Sequence, residues 1–148
     1  HCEAPFFLTQ RLLPLLQRAQ PLREGAANTS SGASLERALI VSLCDVAGEK
    51  PISGYSPYTS SKAALAGLTR AWAVELAPAV RAVGLAPGLN LWPEDFPEES
   101  KRELLSRVPL NRAGEPSEIA RLVRFLALEG SYLNGVMIPV DGGFMLSY

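Results

Sequence analysis

The stretch Ala38-Leu-Ile-Val-Ser-Leu43 decides the fold, because it is a short apolar run with β-branched residues. Such a run is typical of a strand that is buried on both faces. A second apolar run covers Val80 to Leu85 and ends in Pro87-Gly88, and a third covers Val136 to Val140. The sequence therefore predicts three strands, each within a different part of the chain.

Amphipathic helical patterns precede and separate these runs. The first extends from Ala4 to about Arg18, the second from Ser60 to Leu76, and the third begins at Pro116 and stops near Gly130. Residues 20–34 predict a long exposed loop, and residues 91–109 predict an acidic loop that carries a short helix. Alternation of helix and strand predicts an α/β fold with a doubly wound parallel sheet, in one domain over residues 1–148.

Composition excludes several classes of function. The 148 residues are 47% hydrophobic and carry 14 basic and 15 acidic side chains, for a formal net charge of -1. The charges are interspersed, so nothing predicts binding to a nucleic acid or to an anionic membrane. No apolar run is long enough to span a bilayer. We expect a small-molecule substrate or a protein partner.

The two cysteines, Cys2 and Cys44, belong to no Cys-x-x-Cys or Cys/His cluster, which argues against a metal site and a disulfide framework. A reducing, cytoplasmic compartment is expected, and no secretory leader is recognisable. Because the chain begins with His1 at the start of a helical pattern, we expect that upstream sequence is missing.

Tyr58 and Lys62 are candidate catalytic residues in the stretch Gly54-Tyr-Ser-Pro-Tyr-Thr-Ser-Ser-Lys-Ala-Ala-Leu65. Residues four apart are neighbours on a helix. A lysine beside a phenol favours the phenolate, so Lys62 is expected to lower the pKa of Tyr58 and to make it a general acid near neutral pH. A surface pair without chemical consequence is the alternative.

Polar or glycine-containing segments follow the strands at Cys44-Asp45, Ala86-Pro87-Gly88 and Asp141-Gly142. In open parallel sheets, ligands bind at the carboxyl ends of the strands. These three places are where we expect the chemistry, although a tight turn alone would explain Pro87-Gly88 and the glycines after Asp141.

Taken together, these residues resemble the short-chain dehydrogenase/reductase family. The resemblance rests on four ordered matches: Tyr58 with Lys62, Pro87-Gly88, Asn134-Gly135, and Val140-Asp141-Gly142-Gly143. It implies a Rossmann-like fold of which this chain is the C-terminal part, because the glycine-rich turn that holds the cofactor pyrophosphate has no counterpart here. It also implies a nicotinamide cofactor site at Tyr58, Lys62, Pro87, Gly88, Leu89 and Asn90.

Asp45 stands thirteen residues before Tyr58, where the family usually has a serine. An aspartate at this place is similar to the pteridine reductases, in which an Asp, Tyr and Lys constellation reduces pterins and folates with NADPH. A carboxyl group can pair with the ring nitrogens of a pterin. The plainer interpretation is that Asp45 only caps the end of a strand.

The resemblance therefore implies NADPH-dependent reduction of a dihydropterin or folate, with Asp45, Tyr58 and Lys62 as the catalytic residues. Two alternatives stay open: a general short-chain carbonyl or alcohol oxidoreductase, and a truncated subunit that only oligomerises. The family also implies a homo-oligomer, a tetramer or dimer, with the helix from Ser60 to Leu76 packing against its copy. A role for His1, ahead of Ala4-Pro5, is a further and weaker expectation.

Overall fold

The chain is described by a computed structural model that covers residues 2–18 and 38–147. Within these ranges the element order is α1 (Glu3–Leu16), β1 (Ala38–Leu43), α2 (Ser56–Glu75), β2 (Val80–Pro87), α3 (Glu98–Ser106), α4 (Pro116–Leu128) and β3 (Met137–Val140). This order confirms the predicted alternation of helix and strand. His1 and the loop predicted at residues 20–34 lie outside the described residues.

The three strands form one parallel sheet in the order β1-β2-β3. Ala38 to Leu43 pair with Val80 to Leu85, and Gly84 to Pro87 pair with Met137 to Val140. Because all strands point the same way, the ends of β1, β2 and β3 meet at one edge, where the segments after Leu43, Pro87 and Val140 emerge.

Helices cover both faces of β2, as the alternation of side chains along a strand requires. Ala82 packs with Trp72 and Ala73 of α2, on the side where Phe6 of α1 also lies. The neighbouring Val83 and Leu85 point to the opposite face and pack with Leu126 of α4. The predicted doubly wound α/β architecture is thereby confirmed, with the core divided into layers above and below the central strand.

The prediction that Ala38–Leu43 is buried on both faces holds only in part: Ile40 packs in one core layer and Leu39 and Val41 in the other, but their burial is incomplete. Four of its six residues are half-buried, Ser42 is buried and Leu43 is 55% exposed. In the part of the chain that the structure describes, β1 has a strand neighbour on one side only, whereas β2 has one on both sides. Apolar sequence alone does not distinguish an edge strand from a central one.

The amino end of β2 is held by the polar side chains of Arg81 and Asn134. Arg81, which is 6% exposed, donates hydrogen bonds to the carbonyl oxygens of Leu126, Gly130 and Leu133 at 2.8 to 3.0 Å. A cation is favoured at a helix C-terminus, where carbonyl groups lack intrahelical partners. The side chain of Asn134 accepts from the Ala82 amide and donates to a carbonyl of α2, which fastens the loop before β3.

The helices within residues 2–18 and 38–147 are all too short or too polar to cross a membrane.

Candidate active site

Asp45 leaves the end of β1 in an extended conformation and begins a single 3₁₀ turn, Val46–Gly48. One carboxylate oxygen, Oδ1, accepts from the amide of Ala47 at 2.8 Å and caps that turn. The other, Oδ2, accepts from the hydroxyl of Tyr58 at 2.6 Å. The sequence left two roles open for Asp45, capping the strand end or acting together with Tyr58. The two oxygens of its carboxylate allow it to do both.

The 3₁₀ turn after Asp45 lies directly against α2, and this approach brings Asp45 to Tyr58. A Cβ atom on Gly48 would stand 3.1 Å from the backbone of Lys62 and Ala63, closer than packed atoms normally allow. Glycine therefore permits the contact between the turn and the helix. The first turn of α2 contains Pro57, whose fixed φ suits that position, and Tyr58 follows it at once.

Lys62 lies one helical turn after Tyr58, and its ammonium is 5.7 Å from the centre of the Tyr58 ring. Its hydrogen bond is made to the carbonyl oxygen of Leu43, at 2.9 Å, and not to the phenol. Lys62 also lines a separate groove of about 690 Å³ between α1 and the exposed side of β1. The Lys62 side chain thus binds the end of β1 and also borders that groove.

The expectation that Lys62 lowers the pKa of Tyr58 is wrong for this arrangement. Burial, the hydrogen bond to Asp45 and the negative charge of Asp45 together raise the pKa of Tyr58 to about 12. Each of these effects disfavours the phenolate, and together they outweigh any effect of the lysine on the pKa of Tyr58. Tyr58 is consequently a protonated hydrogen-bond donor throughout the neutral pH range.

Asp45 and Tyr58 lie in the wall of a cavity of about 560 Å³. The rest of the wall is mainly apolar and aromatic, and includes Ile52, Tyr55, Leu91, Trp92, Phe96 and Phe144. Trp92 and Phe96 form a tilted ring pair with centroids 5.0 Å apart. A cavity of this size with few polar groups is typical of a site for a small organic molecule.

Of the residues expected to bind a cofactor after β2, Gly88 and Leu89 line this cavity, whereas Pro87 and Asn90 lie beside it. Asn90 donates to the carbonyl oxygen of Gly88 at 3.0 Å and so shapes the turn. The glycine has a local explanation, because a Cβ at Gly88 would stand 2.7 Å from the Cβ of Asp141. Packing between the ends of β2 and β3 therefore requires Gly88 independently of any ligand.

Sequence reasoning missed the aromatic wall and Lys50, which also lines the cavity. Trp92 and Phe96 stand in the loop that was recognised only as acidic, and two aromatic residues four apart were the available signal. Lys50 and Phe144 gave no signal, because they are 94 residues apart and meet only in the folded chain. Among the described residues, no cluster of three or more His, Cys, Asp or Glu side chains could hold a metal ion.

Comparison with known proteins shows the family. Residues 23–145 match the family described as Enoyl-(Acyl carrier protein) reductase. The chain is 40% identical over 111 residues to the 3-oxoacyl-acyl-carrier-protein reductase FabG of Thermotoga maritima, covering 72% of this chain and 45% of that protein. It is 35% identical over 147 residues to pteridine reductase 1 of Leishmania tarentolae, covering 97% of this chain and 47% of that protein.

A solved structure agrees with these matches. The FolM alternative dihydrofolate reductase 1 of Brucella canis, complexed with NADP, superposes with a TM-score of 0.81 at 31% identity, over 100% of this chain and 52% of that one. The chain spans about half the length of the relatives it matches. On the family match and on the shared fold, the chain belongs to the short-chain dehydrogenase/reductase family.

Proposed function

We propose that the protein containing this chain reduces pterins or folates, taking a dihydropterin to a tetrahydropterin with NADPH. The observation that carries the proposal is the 2.6 Å hydrogen bond between Tyr58 and Asp45 in the wall of an aromatic cavity. When bound, NADPH would supply the hydride that adds to a ring carbon of a C=N bond.

Tyr58 is proposed as the proton donor for the ring nitrogen of that bond. With a pKa near 12, the phenol keeps its proton at neutral pH until a strongly basic nitrogen develops beside it. The ammonium of Lys62, 5.7 Å from the ring centre, would favour the phenolate left behind. Protonation is thereby coupled to the reduction.

Asp45 is proposed to orient both Tyr58 and the substrate. Its two oxygens accept from Tyr58 and from the Ala47 amide, and a carboxylate has about four acceptor sites. Capacity therefore remains for the N–H groups of a pterin ring. A serine hydroxyl, the usual family residue here, offers one oxygen only. The aromatic wall of Trp92 and Phe96 suits a flat heterocycle.

The chain's residues fit a nicotinamide cofactor at Lys62. The ammonium has three donors, and its hydrogen bond to Leu43 is the one it makes within residues 2–18 and 38–147. The other donors are available to sugar hydroxyls. We propose that Tyr58, Lys62, Pro87, Gly88, Leu89 and Asn90 form this part of the cofactor site. NADP in the Brucella canis relative supports the phosphorylated cofactor.

A general carbonyl reductase is the second candidate, and the 40% identity to FabG of Thermotoga maritima favours it. In that case Asp45 would be incidental to the substrate. The third candidate, a subunit that only oligomerises, is supported by the chain's spanning about half of its relatives' length. Assembly into a tetramer or dimer through α2, and a cytoplasmic location, are further parts of the proposal.

The experiment that tests the proposal begins with a fluorescence titration of the protein with NADPH, followed by turnover of dihydrobiopterin and of a panel of ketones. The decisive variant is Asp45→Ser, which installs the family's usual residue. Loss of the carboxylate is expected to lower kcat/KM for dihydrobiopterin about 100-fold, since hydrogen-bonded substrate discrimination of this kind is worth several kcal/mol. Ketone turnover should change about threefold or less.

Equal losses for dihydrobiopterin and ketones in Asp45→Ser would refute pterin specificity and leave the general reductase. A folded protein that does not bind NADPH would leave the non-catalytic subunit.

A further inference from the structure

Lys50 connects two distant parts of the cavity wall. It lies two residues after the 3₁₀ turn capped by Asp45, and its ammonium donates to the carbonyl oxygen of Phe144 at 3.1 Å. It also donates to the carbonyl oxygen of Ser147 and contacts the Ser147 hydroxyl at 3.5 Å. The same ammonium stands 5.0 Å from the centre of the Phe144 ring.

These contacts occupy the ammonium. A lysine has three donors, and three acceptors surround this one. Within residues 2–18 and 38–147, no carboxylate lies within ion-pair distance of Lys50. A cation whose donors all point to the chain itself is suited to fastening a segment, and poorly suited to capturing an anionic substrate.

The fastened segment comprises residues 144–147, a single 3₁₀ turn and the residue after it. Its other hydrogen bonds are mostly local: the Gly143 and Met145 amides donate to the carboxylate of Asp141 at 2.9 and 2.8 Å. Such bonds fix the shape of the turn but not its place against the loop after β1. The Lys50 side chain supplies that link within the described residues.

We propose that Lys50 is a positioning residue: by fastening residues 144–147 to the loop after Asp45, it holds the Phe144 ring in the substrate wall and so sets the affinity for substrate. This inference rests on the proposed function of the same cavity. Lys50 and Phe144 both line the cavity that contains Asp45 and Tyr58. Lys50 acts on the substrate through Phe144 and not by contact with the reacting atoms.

The test is a double-mutant cycle of Lys50→Met, which keeps the length of the side chain but removes its donors, and Phe144→Leu. Lys50→Met is expected to raise KM for dihydrobiopterin about tenfold, the effect of losing one charged hydrogen bond. The expected change in kcat and in KM for NADPH is about twofold or less, because the reacting groups are untouched. Lys50→Arg should restore most of the affinity.

The double variant is expected to have the KM of the more affected single variant, because both changes act through the same ring. Lys101→Met is the matched control, since Lys101 pairs with Glu98 on α3 and lies outside the cavity wall. Hydrogen exchange supplies a second readout: the amides of residues 144–147 should exchange about tenfold faster in Lys50→Met.

Unchanged exchange in Lys50→Met would overturn the fastening, and faster exchange with an unchanged KM would overturn its role in the cavity. An additive cycle would mean that Lys50 acts on the substrate without Phe144, which also contradicts the proposal. If wild-type protein reduces a ketone but not dihydrobiopterin, the proposed function fails, and the same cycle is run with that ketone. If Lys50→Met does not fold, Ser147→Ala removes one acceptor and replaces it in the cycle.

Discussion

The two ends of β2 carry buried or half-buried polar groups that differ in what satisfies them. At the amino end, Arg81 is 6% exposed and donates to three backbone carbonyls. At the carboxyl end, Asp45, Tyr58 and Lys62 are half-exposed beside a cavity and a groove. Both ends gather polar side chains from distant parts of the chain. The amino end borders a cavity of about 260 Å³, but the buried Arg81 in its wall donates to backbone carbonyls, whereas the larger spaces at the carboxyl end, of about 560 and 690 Å³, are lined by Asp45, Tyr58 and Lys62.

This difference distinguishes structural polar groups from chemical ones. The carbonyls bound by Arg81 belong to the end of α4 and to the loop after it, so its value is in stability. Asp45 and Lys62 retain hydrogen-bonding capacity beyond their contacts within the chain, so their value can be in recognition. Perturbed titratable groups beside a cavity are typical of functional sites.

The largest expected effect is a loss of turnover when a polar group at the carboxyl end of β2 is removed. Tyr58→Phe removes the proposed proton donor and should lower kcat by about 10³-fold, within the range that general acids contribute. Binding of NADPH, measured by fluorescence, should stay nearly unchanged, because Lys62 is intact. Tyr132→Phe is the control, since Tyr132 is fully exposed and outside the cavity. Unchanged turnover in Tyr58→Phe would remove the tyrosine from the mechanism.

The next largest effect is a loss of stability when the arginine at the amino end of β2 is replaced. Arg81→Met keeps the aliphatic stem but leaves the carbonyls of Leu126, Gly130 and Leu133 without their charged donor, and should lower the free energy of unfolding by about 3 kcal/mol. Urea denaturation of the protein measures this loss. Arg124→Met, on the exposed side of α4, should cost about 0.5 kcal/mol or less. Equal midpoints for the two variants would contradict a structural role for Arg81.

The smallest expected effect is a change in the pKa of Tyr58 at the carboxyl end. Asp45→Ala removes the acceptor and the negative charge beside Tyr58 but leaves its burial, so the pKa of Tyr58 should fall from about 12. The wild-type pKa lies above the ordinary value of 10, so the protonated Tyr58 stabilises the folded state. This contribution to the free energy of unfolding is fully present below pH 10 and is lost as the pH rises toward 12.

Carbon-13 NMR of the tyrosine ring carbons between pH 8 and 10.5 measures the shift, with the Tyr58 signal assigned from Tyr58→Phe. Its ionisation should begin at lower pH in Asp45→Ala than in the wild type. Identical titrations would mean that burial alone sets the pKa.

Much of the fold was predictable from local pattern. The run Ala38–Leu43 is a strand with the predicted bounds, and the helix of Leu65 and Trp72 packs through those side chains. Periodicity is a local property, so a short window of sequence is sufficient to recognise it. The exposure of β1 was not predictable, because the neighbour of a strand is decided by residues elsewhere in the chain.

The candidate site was predictable only in its members. Asp45, Tyr58 and Lys62 were identified from spacing and from the resemblance to the family, and the structure brings all three to the end of β1. The predicted direction of the Tyr58 pKa shift was wrong, because it depends on whether the hydroxyl meets the carboxylate or the ammonium. Lys50 and Phe144 were not predicted as part of the site, since their contact joins residues 94 apart in the sequence.

The sequence by itself determined which segments are helix and strand, the alternation that favours a parallel sheet, and the residue types available for chemistry. The helices and strands follow from side-chain periodicity, and the available chemistry follows from the presence of Asp45, Tyr58 and Lys62. Both are properties of the covalent chain. The tertiary structure alone decided that Asp45 faces the Tyr58 hydroxyl, that Lys62 turns to Leu43, and that Lys50 reaches Ser147. Distances and burial between remote segments set hydrogen bonds and pKa values, and those exist only once the strands have assembled.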